Sequence, residues 1–260
     1  GRILFKSANI LNLGKKQMRR LRSKMQIIFQ DPYESLNPRM TVFQIVSEPL
    51  RVNRLVREYT HLVDRVKTAL RLVRLTPPER FMPKFPHELS GGERQRVSMA
   101  SALTLNPELI VADEPVSNLD VSTKAEVLNL LAKLKRELKL TYLFITHDIA
   151  DAYYISDRIG VMYLGKIMEI GPKEIVVKDP VHPYTKALIS VIPTPSGRMR
   201  TERIILGGAV PDPVNLPPGC RLNTRCPQAA EICFNSEPEM TRVGPNHFVA
   251  CHFAKNQPIL

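Results

Sequence analysis

Two short stretches constrain this chain more than anything else in it: Leu89-Ser90-Gly91-Gly92-Glu93-Arg94-Gln95, and the apolar run Leu109-Ile110-Val111-Ala112 that ends in Asp113-Glu114. The first sets a serine and two glycines at the start of a helix expected from Glu93 to about Leu105. Free backbone N–H groups and the helix dipole at such a start favour a phosphate. The second stretch reads as a strand buried on both faces, delivering two carboxylates at its carboxyl end, where open α/β sheets place ligands. An acid pair there suits a metal ion and a water molecule.

Three further features keep a fixed order around this pair. Gln30 closes a strand-like run over 25–29, Ser117-Asn118-Leu119-Asp120 follows the acids, and His147 follows a strand over 141–146. Each alone has a plain structural reading: Asp-Glu as a capping or salt-bridging pair, a lone histidine as a strand-end residue, a lone glutamine as nothing at all. Together and in this order they resemble the nucleotide-binding subunits of ABC transporters. The resemblance implies an α/β fold of the ABC type, related to the P-loop NTPases, with a mostly parallel sheet plus a helical subdomain. It implies ATP and Mg²⁺ as cofactors, with Asp113 holding Mg²⁺, Glu114 as general base, His147 donating to the γ-phosphate, and Gln30 reaching metal or water. Ser90, Gly91, Gly92 and Asp120 would serve the ATP held by a homologous ATPase partner in a head-to-tail dimer. Two positions depart from the family pattern, Ser101 where arginine is usual and Asn118 where alanine is usual.

One family motif is missing. The phosphate-binding loop Gly-x4-Gly-Lys-Ser/Thr does not occur: Gly14-Lys15-Lys16 lacks the hydroxyl residue and the upstream glycine, and Gly160-x4-Gly165-Lys166-Ile167 lacks the hydroxyl residue. With Gly1 as its first residue, the chain is expected to be an amino-terminally truncated subunit that alone turns over no ATP.

Composition bounds the remaining classes. The 260 residues at 43% hydrophobic content suit one or two packed domains, and no apolar run approaches the length that crosses a bilayer. A net charge of +12 suits nucleic acid, an anionic membrane surface or simply a solvated basic surface. The densest cluster, Lys15 to Lys24, has no interleaved aromatics, so no nucleic-acid partner is expected.

Along the chain, apolar positions at helical spacing run from Thr41 to about Leu75, interrupted by Pro49 and stopped by Pro77-Pro78. Val127, Leu130, Leu131, Leu134 and Leu138 mark a helix that packs on the sheet, and strand-helix-strand implies a right-handed parallel crossover. Strands over 159–163 and 166–170 are expected to meet at a turn at Gly165. Thirteen of the 22 prolines lie at Pro172 or later and all four cysteines between Cys220 and Cys251, so an appendix with its own device follows the core. The expected organisation is an ATPase core over 1–172, with its helical subdomain at about 41–105, and a loop-rich extension over 173–260.

The stretch 31–42 after Gln30 and His182-Pro183-Tyr184-Thr185-Lys186-Ala187-Leu188 resemble the oligopeptide/dipeptide branch of importer ATPases. By itself the second stretch is a helix start with an apolar face. The resemblance implies an ATPase subunit that powers peptide import, peripheral on the cytoplasmic side of the cell membrane and docked on transmembrane permease subunits without touching the peptide. Rival readings are an ATPase for nickel or another small solute, a soluble ABC protein of DNA repair or translation, and an inactive remnant. Cys220-x5-Cys226-x6-Cys233-x17-Cys251 lacks the tight pairs of zinc ribbons, while Arg221, Arg225 and Arg242 would favour thiolates. Four thiolates can enclose zinc or a [4Fe–4S] cluster, and the resemblance implies the cluster.

Overall fold

The computed structural model describes residues 1–191 and 203–254, so the parts of the expected extension at 192–202 and 255–260 lie outside the described residues. The chain divides into two compact units, Gly1–His147 and Asp148–Leu260.

The first unit begins with an antiparallel hairpin, β1 (Leu4–Phe5) and β2 (Ala8–Asn9), followed by α1 (Lys15–Arg22) and β3 (Met25–Ile28). Five helices follow: α2 (Pro32–Ser35), α3 (Val42–Val52), α4 (Tyr59–Leu72), α5 (Pro78–Phe81) and α6 (Gly91–Leu103). The chain then returns through β4 (Leu109–Asp113), α7 (Val121–Glu137) and β5 (Thr141–Ile145). Strands β3, β4 and β5 form a parallel sheet in that order, with Ile28 opposite Ala112 and Asp113 opposite Ile145. The central strand is buried on one face only. Ile110 and Ala112 are sealed, while Leu109, Val111 and Asp113 are half-buried and Ile27, Leu143 and Ile145 of the flanking strands are exposed.

The helical part packs α3, α4 and α6 together through Val42, Val46 and Leu50, Val66 and Leu70, and Val97, Met99 and Ala100, all fully buried. Thr41 opens α3 with a capping box, its hydroxyl accepting from the Gln44 N–H at 3.3 Å while its own N–H donates to Gln44 Oε1 at 2.8 Å. Pro49 lies inside α3 and does not end it. A proline has no N–H, which leaves the carbonyl one turn back, that of Ile45, without its helical donor. Ser101 Oγ on α6 donates to that carbonyl at 3.3 Å. The serine that departs from the family pattern thus satisfies a backbone group that the proline orphans.

The second unit holds α8 (Ile149–Ile155), β6 (Arg158–Tyr163), β7 (Lys166–Pro172), α9 (Lys173–Lys178), α10 (Pro183–Ser190), α11 (Glu231–Asn235), β8 (Thr241–Gly244) and β9 (His247–Val249). Its four strands form an antiparallel sheet in the order β6-β7-β9-β8. The β6–β7 turn lies at Leu164 and Gly165, both with positive φ, 44° and 78°, the signature of a two-residue hairpin turn. Glu169 on β7 is fully buried and satisfied: its carboxylate accepts from the N–H groups of Val181 and His182 at 3.0 and 2.9 Å and lies 2.7 Å from His247 Nε2. His182 caps α10 by accepting from the Tyr184 N–H at 3.1 Å. The stretch over 182–188 is therefore more than a helix start, because its first residue is pinned from both sides.

Candidate active site

Parallel pairing brings the carboxyl ends of β3, β4 and β5 side by side, and the chain leaving each strand supplies one polar residue. Gln30 Nε2 donates to Glu114 Oε2 at 3.1 Å, and His147 Nδ1 lies 3.2 Å from the same oxygen. Residues separated by 84 positions thus meet at one carboxylate because they follow neighbouring strands. Glu114 itself sits at φ 42°, a left-handed conformation unusual for a residue with a side chain. Its backbone is held on both sides: its N–H donates to the Ile145 carbonyl at 2.9 Å, and its carbonyl accepts from the Ser117 N–H at 3.2 Å and Ser117 Oγ at 3.0 Å. Ser117 has no role in the motif order itself, although a serine four residues beyond a strand end is a recognisable turn signal. Glu114 keeps 24% side-chain exposure and His147 71%, so the cluster is open to solvent and to a ligand.

Ser90 and the two glycines stand at the start of α6. The Ser90 hydroxyl accepts from the Glu93 N–H at 3.3 Å, and Glu93 Oε2 accepts from the Ser90 N–H at 2.8 Å. A Cβ on Gly92 would lie 2.4 Å from Thr123 Cγ2, so glycine lets α6 start close against the start of α7. Asp120 caps α7 by accepting from the Thr123 N–H at 3.0 Å, and hydrogen bonds with the Thr123 side chain and then its N–H lower the carboxyl pKa below its usual value. Among the described residues no hydrogen bond or ion pair joins Ser90, Gly91, Gly92 or Asp120 to the Glu114 cluster. The donor chemistry at the strand ends fits Mg²⁺: Asp113 offers hard carboxylate oxygen, and Gln30, with its amide nitrogen on Glu114, keeps its amide oxygen for a cation.

The cysteines behave differently from expectation. Cys220 and Cys233 are buried with Tyr163, Met168 and Leu222, and Cys226 packs against them. Burial pushes the thiols of Cys220, Cys226 and Cys251 above their ordinary value, and the neighbouring cysteines add to the rise. Among the described residues no group of three or more His, Cys, Asp or Glu side chains is placed to hold a metal ion. The expected [4Fe–4S] cluster at Cys220, Cys226, Cys233 and Cys251, and the zinc alternative, are corrected accordingly. The arginines expected to favour thiolate are outweighed, since Arg225 is directed at the Gly207 carbonyl and the Tyr163 hydroxyl.

A family model described as ABC transporter matches residues 1–117, and one described as oligopeptide/dipeptide transporter, C-terminal region, matches residues 168–233. A putative oligopeptide transport ATP-binding protein of Bacillus subtilis, YkfD, is 48% identical over 98% of this chain and 78% of its own length. The chain belongs to the ATP-binding proteins of ABC transporters. The oligopeptide transport ATP-binding protein OppF of Haemophilus influenzae is 42% identical over 96% of the chain and 76% of its own length. Among solved structures, the ABC transporter subunit cbiO1 from Clostridium perfringens superposes with a TM-score of 0.60 at 31% identity, covering 69% of this chain and 68% of that one. The ATP-binding cassette MJ0796, a dimer bound to ADP and Pi, gives 0.59 at 30% identity over 66% of this chain and 73% of that one. The fold of this ABC ATPase subunit is the nucleotide-binding fold that the motifs implied.

The same comparisons correct the reading of the chain as an amino-terminally truncated subunit. The ABC transporter model is matched from residue 1, and the Bacillus relative aligns over nearly the whole chain. A motif search weighs a handful of positions, whereas these matches weigh hundreds, so the absence of one loop sequence does not by itself make the chain a truncated one.

Proposed function

We propose that this ABC ATPase subunit binds and hydrolyses ATP to power import of peptides, from the cytoplasmic side of the membrane, paired head to tail with a homologous ATPase and docked on transmembrane permeases. The observation that carries the chemical part is the Glu114 carboxylate held between Gln30 and His147 at three adjacent strand ends. Glu114 accepts the proton of the attacking water, and its fixed backbone aims the carboxylate. Gln30 and His147 orient that carboxylate, and His147 donates toward the γ-phosphate. Asp113 and the Gln30 amide oxygen would hold Mg²⁺, which would supply charge neutralisation at the phosphates. Ser90, Gly91 and Gly92 present the start of α6 to the nucleotide of the partner subunit, with Asp120 across the same interface; the dimeric relative bound to ADP and Pi supports this pairing.

The cargo rests on the oligopeptide/dipeptide transporter C-terminal region at 168–233 and on the relatives' oligopeptide assignments. No helix among the described residues is long and apolar enough to cross a membrane, which leaves spanning to the permeases. The test is ATP-driven uptake of labelled di- and oligopeptides into vesicles holding the assembled transporter. Uptake of nickel or another small solute with no peptide would overturn the cargo, and uptake undiminished by Ser90→Arg would remove the role of Ser90, Gly91 and Gly92.

A further inference from the structure

The basic cluster of Lys15 to Lys24 has no part in the ATPase chemistry, yet the structure gives it a shape. It folds as α1, in which five of eight residues are cations and none is acidic. Met18 and Leu21 are half-buried on one side of the helix, and the cations are all exposed. Among the described residues no carboxylate pairs with Lys15, Lys16, Arg20 or Arg22, whereas Lys6 and Lys24 share Glu108. Arg19 reaches sideways, its Nη2 donating to the Val52 carbonyl at the end of α3 at 2.6 Å. That bond joins α1 to the loop between α3 and α4, which carries exposed Arg54 and Arg57. Between these cations stand Val52, Leu55 and Tyr59 at 60%, 57% and 68% exposure. The loop's one acid, Glu58, lies 3.7 Å from His61 Nδ1.

We propose that α1 and the α3–α4 loop form a docking surface for the anionic phospholipid headgroups of the membrane. Six exposed cations besides Arg19, around a few exposed apolar side chains, match a headgroup layer: the cations meet lipid phosphates, and Val52, Leu55 and Tyr59 enter the boundary beneath them. A nucleic-acid strand is a poorer match, because aliphatic side chains offer its bases no stacking platform. The surface holds the subunit's flank on the bilayer while its docking on the permeases is separate, and it depends neither on the cargo nor on ATP turnover.

The experiment is co-sedimentation of the purified chain with vesicles of phosphatidylcholine alone or with about a third phosphatidylglycerol, at low and high salt. Binding is expected to the anionic vesicles only and to vanish at high salt. The triple variant Lys16→Gln/Arg20→Gln/Arg22→Gln should weaken it roughly a hundredfold, at about fivefold per cation. Neutralising three exposed cations of α7 and the second residue beyond it, Lys133→Gln/Arg136→Gln/Lys139→Gln, should leave most of the binding, because the loss follows position and not net charge. Equal loss from both triple variants, equal binding to neutral vesicles, or tighter binding to a single-stranded oligonucleotide than to anionic vesicles would each overturn the proposal. So would absence of vesicle binding in a variant-free protein that still sediments with permease-containing membranes, which would assign the patch to the permease.

Discussion

Two clusters of chemically capable side chains sit in this molecule, and they differ in what surrounds them. Around Glu114, polar groups from three strand ends meet at hydrogen-bonding distance with an open side to solvent. Around Cys220, thiols meet among Tyr163, Met168 and Leu222, where burial drives those of Cys220 and Cys226 toward the neutral form. Both groups are conspicuous in the sequence. What separates a reactive cluster from a packed one is the medium: donors and solvent stand around the one, and an apolar lining that disfavours an ionised thiol stands around the other.

The largest effect that would break this contrast is at Glu114. Glu114→Gln keeps the hydrogen bond to Gln30 within reach but removes the base, so ATP turnover of the assembled transporter should fall by about 10²- to 10⁴-fold while ATP binding persists. Turnover and equilibrium nucleotide binding measured on the same preparation check it, and parental turnover would eliminate Glu114 as the base.

A second test uses a buried group outside both clusters. Burial lowers the pKa of His182 to about 4 from 6.5, with a hydrogen bond to the Ala250 backbone pushing the other way. Between those values the unfolded chain binds a proton that the folded chain refuses. Stability is therefore full above about pH 6.5 and declines by about 3 kcal/mol as pH falls to about 4. Urea unfolding of the second unit across that window should show the slope, and His182→Asn, which keeps a capping side chain but cannot titrate, should flatten it.

Within the thiol cluster, Cys220→Ser buries a hydroxyl where the sulfur sat and should cost about 1 to 3 kcal/mol, more than Cys220→Ala. A thiol that served as a ligand would lose as much with either replacement. Denaturant midpoints of the two variants, read side by side, sharpen the distinction between a packed and a coordinating sulfur.

Much of this was legible beforehand, because periodicity and motif order report local geometry. Strands at 25–28, 109–113 and 141–145, the helix opened by Ser90 and the β6–β7 turn all fall within a residue or two of their expected places. The motif order names Gln30, Glu114 and His147 one by one, and they meet because strand ends in a parallel sheet align. The medium was not legible. Four cysteines read as ligands because spacing says nothing of burial, and β4 read as buried on both faces because an apolar run does not reveal what lies against it. The left-handed backbone of Glu114 left no mark in sequence either, since it arises from contacts to Ile145 and Ser117.

The smallest predicted effect asks how an ordinary polar side chain is used when it belongs to neither cluster. Ser101 stands where the family resemblance led one to expect arginine. Its hydroxyl instead donates to the Ile45 carbonyl that Pro49 leaves without a helical partner. Ser101→Ala should cost about 1 kcal/mol, the net worth of one such hydrogen bond. Pro49→Ala restores an N–H to the helix and gives Ile45 its own donor, so in that background Ser101→Ala should cost almost nothing. A double-mutant cycle of unfolding free energies isolates the coupling. Additive losses would mean that proline and serine act independently and that the hydroxyl is a bystander; a coupling near the size of the single loss means that a polar side chain here is consumed by the backbone, as the thiols are consumed by packing.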